Sequence, residues 1–328
     1  MAKVAVTGGT GFIGRQLVSR LLSLGHSVRV LCRAKLERPP LPAGVWCVNG
    51  DVGEAATLRP LLEGTEAVFH LAAGTQGEWP DYYRSTVEGT SNVLRAAEEY
   101  AVGRVVYVSS SGVYRTDGLP RGAMIEESSP LETALARRTY YIRAKLLAED
   151  SVLKAMAEGK TAIVNLRPAL VYGPGNAYCA VLFPTLKGIL TLGLGSPRRQ
   201  VALVYIEDLI DALIAAWEKA PRGEIYNIGD DASPSYREYH DTYHQLAGRK
   251  QTVLYVPYAA IAPMAALVDG LNSLRNGGER VGIAHRLRAF CGDVRFSSRK
   301  AMSQLGWSAK VPFAAGMRRA MGLTAEGA

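Results

Sequence analysis

The chain has 328 residues, 48% hydrophobic and 21% charged, a balance that supports one sizeable globular core or a core with a smaller appended lobe. Its formal net charge of +8 is scattered, with no basic stripe interleaved with aromatics, which speaks against nucleic acid as a partner and suits anionic small-molecule ligands. The four cysteines, Cys32, Cys47, Cys179 and Cys291, have neither metal-ligand nor disulfide spacing, so no metal is expected, and with no secretory signal visible a reducing, cytoplasmic location is the default.

The chain opens on Lys3-Val4-Ala5-Val6-Thr7, short, apolar and β-branched, which reads as a buried strand. Gly8, Gly11 and Gly14 follow, with Phe12 and Ile13 between the last two, and from Arg15 apolar residues recur at helical spacing. In a strand–turn–helix, the first glycine makes the tight turn and the second lets the backbone approach a pyrophosphate. The third lets helix and strand pack, and the helix N-terminus faces the negative charge. These residues predict a dinucleotide site. The next strand, near 27–31, ends in Cys32-Arg33. A carboxylate at that tip would bond both ribose hydroxyls and repel a 2′-phosphate; an arginine does the reverse, so NADP(H) is preferred over NAD(H).

Strand signals continue at 67–71, 104–108 and 161–166, with helical patterns at 57–62, 81–100 and 136–157. Such alternation predicts a Rossmann-type, doubly wound parallel sheet covered on both faces. After about residue 170 the alternation loosens, leaving helical patterns at 207–219 and 236–247. The expected organisation is therefore 1–170 for the dinucleotide-binding and catalytic half. Residues 171–328 are expected as a second, less regular part of the chain. The most apolar stretch, 256–268, is too short to span a bilayer.

Tyr141 and Lys145 stand four apart, hence on one helical face. A phenol ordinarily titrates near 10, and an adjacent cation brings it towards the working range of a base. Tyr140 competes, but its fourth successor is Ala144. Ser109-Ser110-Ser111 follows the strand at 104–108 and offers hydroxyls to a substrate oxygen.

Thr7-Gly8-x-x-Gly11-x-x-Gly14 with a later Tyr141-x-x-x-Lys145 resembles the short-chain dehydrogenase/reductase superfamily. Chain length and glycine spacing are similar to its extended branch, the epimerase/dehydratase and 3β-hydroxysteroid dehydrogenase-like enzymes, and that resemblance implies that 171–328 is mainly a substrate-binding lobe that partly returns to the core. The resemblance implies Ser110, Tyr141 and Lys145 as catalytic residues, with Lys145 also gripping the nicotinamide ribose. It implies that Thr7 and the glycine loop bind the cofactor, with Asp51 and Val52 at the adenine and Leu71, Ala72 and Ala73 passing beside it. Pro168, Leu170 and Val171 are implied at the nicotinamide carboxamide. His70 reads as a packed histidine without a catalytic role. One departure is Thr86, which stands where the family carries Asn and leaves that brace in question.

Three functions compete. The first is an oxidoreductase acting on a secondary alcohol or carbonyl of a small, largely apolar substrate, as in the hydroxysteroid dehydrogenase or flavonol reductase relatives. The alternative is a nucleotide-sugar epimerase or dehydratase that retains its cofactor, and the third is a cofactor-binding protein with a silent site. Ser110-Ser111-Gly112 offers no carboxylate, which argues against dehydration. Leu170 and Val201 stand where sugar-nucleotide enzymes resemble one another in carrying Asn and Arg, although Arg198 and Arg199 lie nearby. Reversible hydride transfer is the preferred reading. Trp79, Tyr82, Tyr83, Tyr114, Tyr178 and Phe183 are candidates for an apolar pocket, two or three of them facing substrate. His240 and His244 have metal-compatible spacing but read as a solvated helix face. The apolar segment 257–274, followed by Arg275, Arg280, Arg286 and Arg288, reads first as a lid or a homodimer contact and second as a membrane-surface contact.

Overall fold

The computed structural model describes residues 1–33, 41–176, 185–186, 190–250, 252–276 and 282–323. Strand β1 (Lys3–Thr7) runs into helix α1 (Phe12–Ser23), β2 (Ser27–Cys32) and β3 (Trp46–Asn49). A short helix, α2 (Arg59–Leu62), leads to β4 (Ala67–His70), and α3 (Trp79–Tyr82) with α4 (Gly89–Glu99) leads to β5 (Arg104–Val108). Then come β6 (Ala123–Ile125), α5 (Tyr140–Glu158) and β7 (Ala162–Pro168).

The second half begins with β8 (Leu170–Tyr172), β9 (Thr185–Leu186), β10 (Leu190–Leu194) and β11 (Leu203–Tyr205). It continues through α6 (Ile206–Lys219), β12 (Glu224–Ile228), α7 (Tyr236–Leu246) and β13 (Thr252–Val256). The last described elements are α8 (Tyr258–Asn276), α9 (Ile283–Phe290), β14 (Val294–Phe296), α10 (Arg299–Leu305) and α11 (Phe313–Ala320).

The main sheet has the order β12-β7-β5-β4-β1-β2-β3, with every pairing parallel. It is a doubly wound sheet. Helices cover both faces, so β4 buries all its residues and β1 all but Lys3, which is why these strands read as unbroken apolar runs. Leu17, Val18 and Leu21 of α1 pack one face together with Leu209 and Leu213 of α6. Val93 and Ala97 of α4 pack the other with Ala148 and Val152 of α5. The order reverses between β1 and β4, and the crevice beyond their carboxyl ends is where such sheets bind ligands. The smaller sheets β9–β10–β13, β8–β11 and β6–β14 build the adjoining lobe.

Several boundaries differ from the sequence reading. The 46–49 strand is missed by periodicity, because its exposed Trp46 and Asn49 sit at the sheet edge. The helix expected over 81–100 is broken: after α3 the backbone makes a wider, π-type turn at Tyr83–Glu88 before α4 begins. The helix expected from 136 starts at Tyr140, where the Thr139 hydroxyl accepts the Ile142 N–H. Strand β12 comes from the C-terminal half and yet closes the edge of the main sheet beside β7.

No helix among the described residues is long and apolar enough to cross a membrane. Helix α8 exposes Met264, Leu267 and Leu271 to solvent. Of the arginines expected to follow it, Arg280 lies outside the described residues, as do the side chains of Arg275 and Arg286; Arg288 pairs with Asp117 at 2.6 Å. His240 and His244 correct the expectation of a solvated face. Both are buried: His240 stacks on Tyr255, bonds its hydroxyl at 3.2 Å, and is held neutral by burial, its pKa lowered to about 3.

Candidate active site

A cavity of about 730 Å3 occupies the crevice at the β1/β4 switch point. The phosphate loop forms one wall. Gly8 adopts φ +71°, and a Cβ there would lie 2.8 Å from Ala72 N, so the turn can pass the end of β4 only as glycine. A Cβ on Gly14 would lie 2.1 Å from Gly8 O, so loop and helix meet backbone to backbone. Helix α1 has Gly11 as N-cap, with no side chain capping it and no acidic residue in its first turn. Its leading N–H groups are therefore free to meet an anion at the cavity wall, which is the fit a dinucleotide pyrophosphate requires.

Gly8, Gly11, Phe12, Ile13 and Gly14 all line this cavity, as do Arg33 at the tip of β2 and Asp51 with Val52 beyond β3. Leu71, Ala72 and Ala73 line it from the end of β4, and Pro168, Leu170 and Val171 from the end of β7 onward. Ser110, Tyr141 and Lys145 complete it. Thr7 is the exception among the expected residues. It is fully buried; its hydroxyl accepts Ala72 N–H at 3.3 Å and bonds His70 Nδ1 at 2.6 Å. His70 Nε2 in turn reaches Thr90 Oγ1 at 3.0 Å. Burial, with Lys145 nearby, lowers the His70 pKa to about 3, so the ring is neutral. One ring nitrogen then donates and the other accepts, so the ring ties Thr7 to Thr90. Thr7 and His70 brace the turn from below instead of facing a ligand.

At the tip of β2, Arg33 is exposed and Cys32 is buried, its thiol 3.6 Å from Val30 O. Asp51 Oδ1 accepts Gly53 N–H at 2.8 Å, which fixes the carboxylate beside the cavity.

The part of the cavity lined by Ser110, Tyr141 and Lys145 is organised by the tip of β5. Ser110 caps the turn Ser111–Val113, its Oγ accepting Gly112 N–H at 3.1 Å, and faces the cavity. Lys145, only 2% exposed, donates to Val108 O at 2.6 Å. Burial lowers its pKa to about 8, and the charge of Glu149 opposes that shift. Glu149 is wholly buried one turn further along α5, bonded to Ser109 Oγ and accepting from Arg167 Nε at 2.7 Å. Arg167 Nη1 donates to Tyr114 OH at 2.7 Å, and that hydroxyl donates to Asn227 Oδ1 at 2.6 Å. Sequence reasoning missed this network. Its only signal is Glu149 four residues after Lys145, on the same helical face.

Thr86, where the family pattern has Asn, is buried and accepts Gly74 N–H at 2.8 Å, pinning the loop that carries Ala72 and Ala73. The aromatic candidates are placed differently from the expectation. Tyr114 lies beneath the cavity in the Arg167 network. Trp79 and Tyr82 of α3 and Tyr83 at the start of the following turn gather with Tyr140 of α5, ring centroids 5.8–5.9 Å apart, and do not line the cavity. Tyr178 and Phe183 lie outside the described residues. The lining contains residues the motifs did not mark, among them Ile142, Ser85 and Asn176.

The family model for the NAD dependent epimerase/dehydratase family matches residues 4–229. A Stigmatella aurantiaca ketoreductase of 4-hydroxy-2-methyl-3-oxo-4-farnesyl-3,4-dihydroquinoline-1-oxide is 28% identical over 319 residues, covering 95% of this chain and 93% of its own. A 2-alkyl-3-oxoalkanoate reductase of Stenotrophomonas maltophilia is 28% identical over 331 residues, covering 97% and 98%. Among solved structures, MoeE5 in complex with UDP-glucuronic acid and NAD superposes with a TM-score of 0.71 at 25% identity, over 98% of each chain.

Proposed function

This chain belongs to the NAD dependent epimerase/dehydratase family, an NAD(P)-dependent enzyme of the extended short-chain dehydrogenase/reductase type, and from that premise we propose that it is an NADP(H)-dependent reductase of a carbonyl on a small, largely apolar substrate. The observation that carries the reading is the meeting of Ser110, Tyr141 and Lys145 in the same cavity as the uncapped N-terminus of α1. No carboxylate accompanies them at positions 111 and 112 to remove water. Residues 1–170 hold the dinucleotide and these three side chains in this reading, and 171–328 shape the substrate side.

When bound, the dihydronicotinamide supplies a hydride to the carbonyl carbon. The chain's own residues do the rest. The α1 N-terminus and the Gly8–Gly11 turn hold the pyrophosphate, and Arg33 pairs with a 2′-phosphate. Ser110 donates a hydrogen bond to the carbonyl oxygen, where negative charge develops. Tyr141 gives that oxygen its proton, and the Lys145 ammonium stabilises the phenolate left behind. Ile142 presents apolar surface to the substrate, in keeping with alkyl- and farnesyl-bearing substrates in the names of two relatives.

Titration of cofactor-stripped protein with NADPH and NADH, followed by dialysis and a carbonyl panel, tests this. Exchangeable NADPH and its oxidation by apolar ketones are expected. NAD(H) that copurifies and resists dialysis, with turnover of sugar nucleotides, would replace the proposal with the epimerase reading.

A further inference from the structure

A second cavity, of about 660 Å3, shares no lining residue with the dinucleotide cleft. Arg121, Arg198, Arg295 and Arg299 stand around it. They come from four places: the turn before β6, the segment after β10, β14 itself and the first turn of α10. The fold brings them together through backbone pairing. β14 lies on β6 with Arg295 opposite Met124, and Gly122 N–H donates to Asp293 O at 2.7 Å. Tyr236 N–H donates to Arg199 O at 2.8 Å, tying the β10–β11 connection to the start of α7. Ser298 N–H donates to Asp231 Oδ1 at 3.0 Å and joins the two halves.

The four guanidiniums make no hydrogen bond or ion pair among the described residues, whereas exposed Arg59, Arg84 and Arg319 pair with Glu63, Glu54 and Glu207. The serines and the glutamine around the cavity are engaged, and Asp231 accepts Ser298 N–H. Ser233 donates to Asp230 O at 2.6 Å, Ser235 accepts Glu238 N–H at 3.2 Å, and the Gln200 amide donates to Asp231 O and Ser233 O. Asp231 and Asp293 offset only two of the four charges. What remains on this hydrogen-bonded frame is four guanidiniums and the single Asp293 carboxylate, a positive excess. Like charges gathered without partners repel, and an oxyanion with several acceptors relieves that cost while using the arginine donors in pairs.

We propose that this cavity binds a phosphate-bearing anion in solution, a phosphomonoester or diphosphate, at a site separate from the dinucleotide cleft. A lipid headgroup carries the same chemistry, but among the described residues Met124 and Phe296 are the only large apolar side chains in the lining, and Phe296 is buried against Tyr114. A membrane would find little to insert. The site does not depend on the hydride-transfer reading.

The test is calorimetric titration of NADPH-saturated protein with inorganic pyrophosphate, so that the glycine loop is already filled. Binding is expected, weakened by about tenfold or more in Arg198→Ala/Arg295→Ala and, separately, in Arg121→Ala/Arg299→Ala, the loss of a charge-assisted pair. All four arginines are exposed, so both variants should keep wild-type NADPH affinity, which reports that they fold. No pyrophosphate binding, or binding that both variants retain, overturns the site. Sedimentation with phosphatidic acid–phosphatidylcholine vesicles separates the sources: capture that the variants lose and pyrophosphate does not compete for overturns the soluble-ligand assignment.

Discussion

Replacing Gly14 by alanine strikes the point where phosphate loop and helix touch. The new Cβ would lie 2.1 Å from Gly8 O, 2.6 Å from Gly9 Cα and 2.8 Å from Gly8 C, all main-chain atoms that no rotamer change can move. Restoring ordinary contact requires α1 and the loop to part by roughly 1 Å or more. A shift of that size removes at least one backbone N–H from the pyrophosphate, about 1.5–3 kcal/mol for a hydrogen bond to a charged group. The expected rise in Kd for NADPH and NADH alike is roughly 10- to 150-fold. Gly25→Ala is the comparator. Its φ of +82° strains any side chain, but nothing lies within 4 Å, so it should lower Tm and leave both affinities alone. Cofactor affinity in Gly14→Ala within about threefold of wild type, with Tm no lower than that of Gly25→Ala, would refute the cradle as described.

Tyr141→Phe should cut ketone reduction by roughly 10²- to 10⁴-fold with NADPH binding unchanged; activity retained in a coupled NADPH-oxidation assay would remove Tyr141 as the proton donor. Lys145 is lowered from 10.5 to about 8, so it is charged below that pH and neutral above it. The folded protein therefore gains stability from this group between about pH 8 and 10.5, because the unfolded chain binds the proton there, while the support for Tyr141 is lost. Tm against pH should show that rise in wild type and lack it in Lys145→Met; parallel curves would mean the lysine is not desolvated as described. Arg33→Asp should weaken NADPH roughly 10- to 100-fold and spare NADH, read by paired fluorescence titrations. Glu149→Gln leaves Arg167, 3% exposed, without its carboxylate and should cost about 3–5 kcal/mol in urea unfolding; a loss under about 1 kcal/mol would show that the pair is not desolvated.

Chain-local features were legible where one short segment does one job. The turn from β1 to α1 announces itself because backbone approach requires glycine at set intervals, and Tyr141 and Lys145 share a face through helix geometry alone. Arg33 is readable because it follows the last residue of an evident strand. Glu149, Arg167, Tyr114 and Asn227 were not readable as a set. They belong to α5, β7, the turn after β5, and β12, and only the packing of α5, that turn and β12 around β7 brings them within hydrogen-bond distance. The motif at Thr7 names a residue type without its direction: in a strand buried on both faces, its hydroxyl turns to His70 and Ala72 and away from the cavity. The histidines at 240 and 244 look solvated from helix periodicity because polar residues surround them in sequence, yet Tyr236 and Tyr255 cover His240.

The sequence by itself determined the alternating architecture, the phosphate turn and the spacing of the acid/base pair, since each follows from periodicity and backbone sterics within a few neighbouring residues. Tertiary structure alone decided which buried carboxylate stands behind Lys145, which aromatics stay out of the cavity, and that four arginines from distant segments face one space. Those outcomes depend on how strands and helices far apart in the chain are stacked, and no local pattern of residues encodes a distance across the sheet.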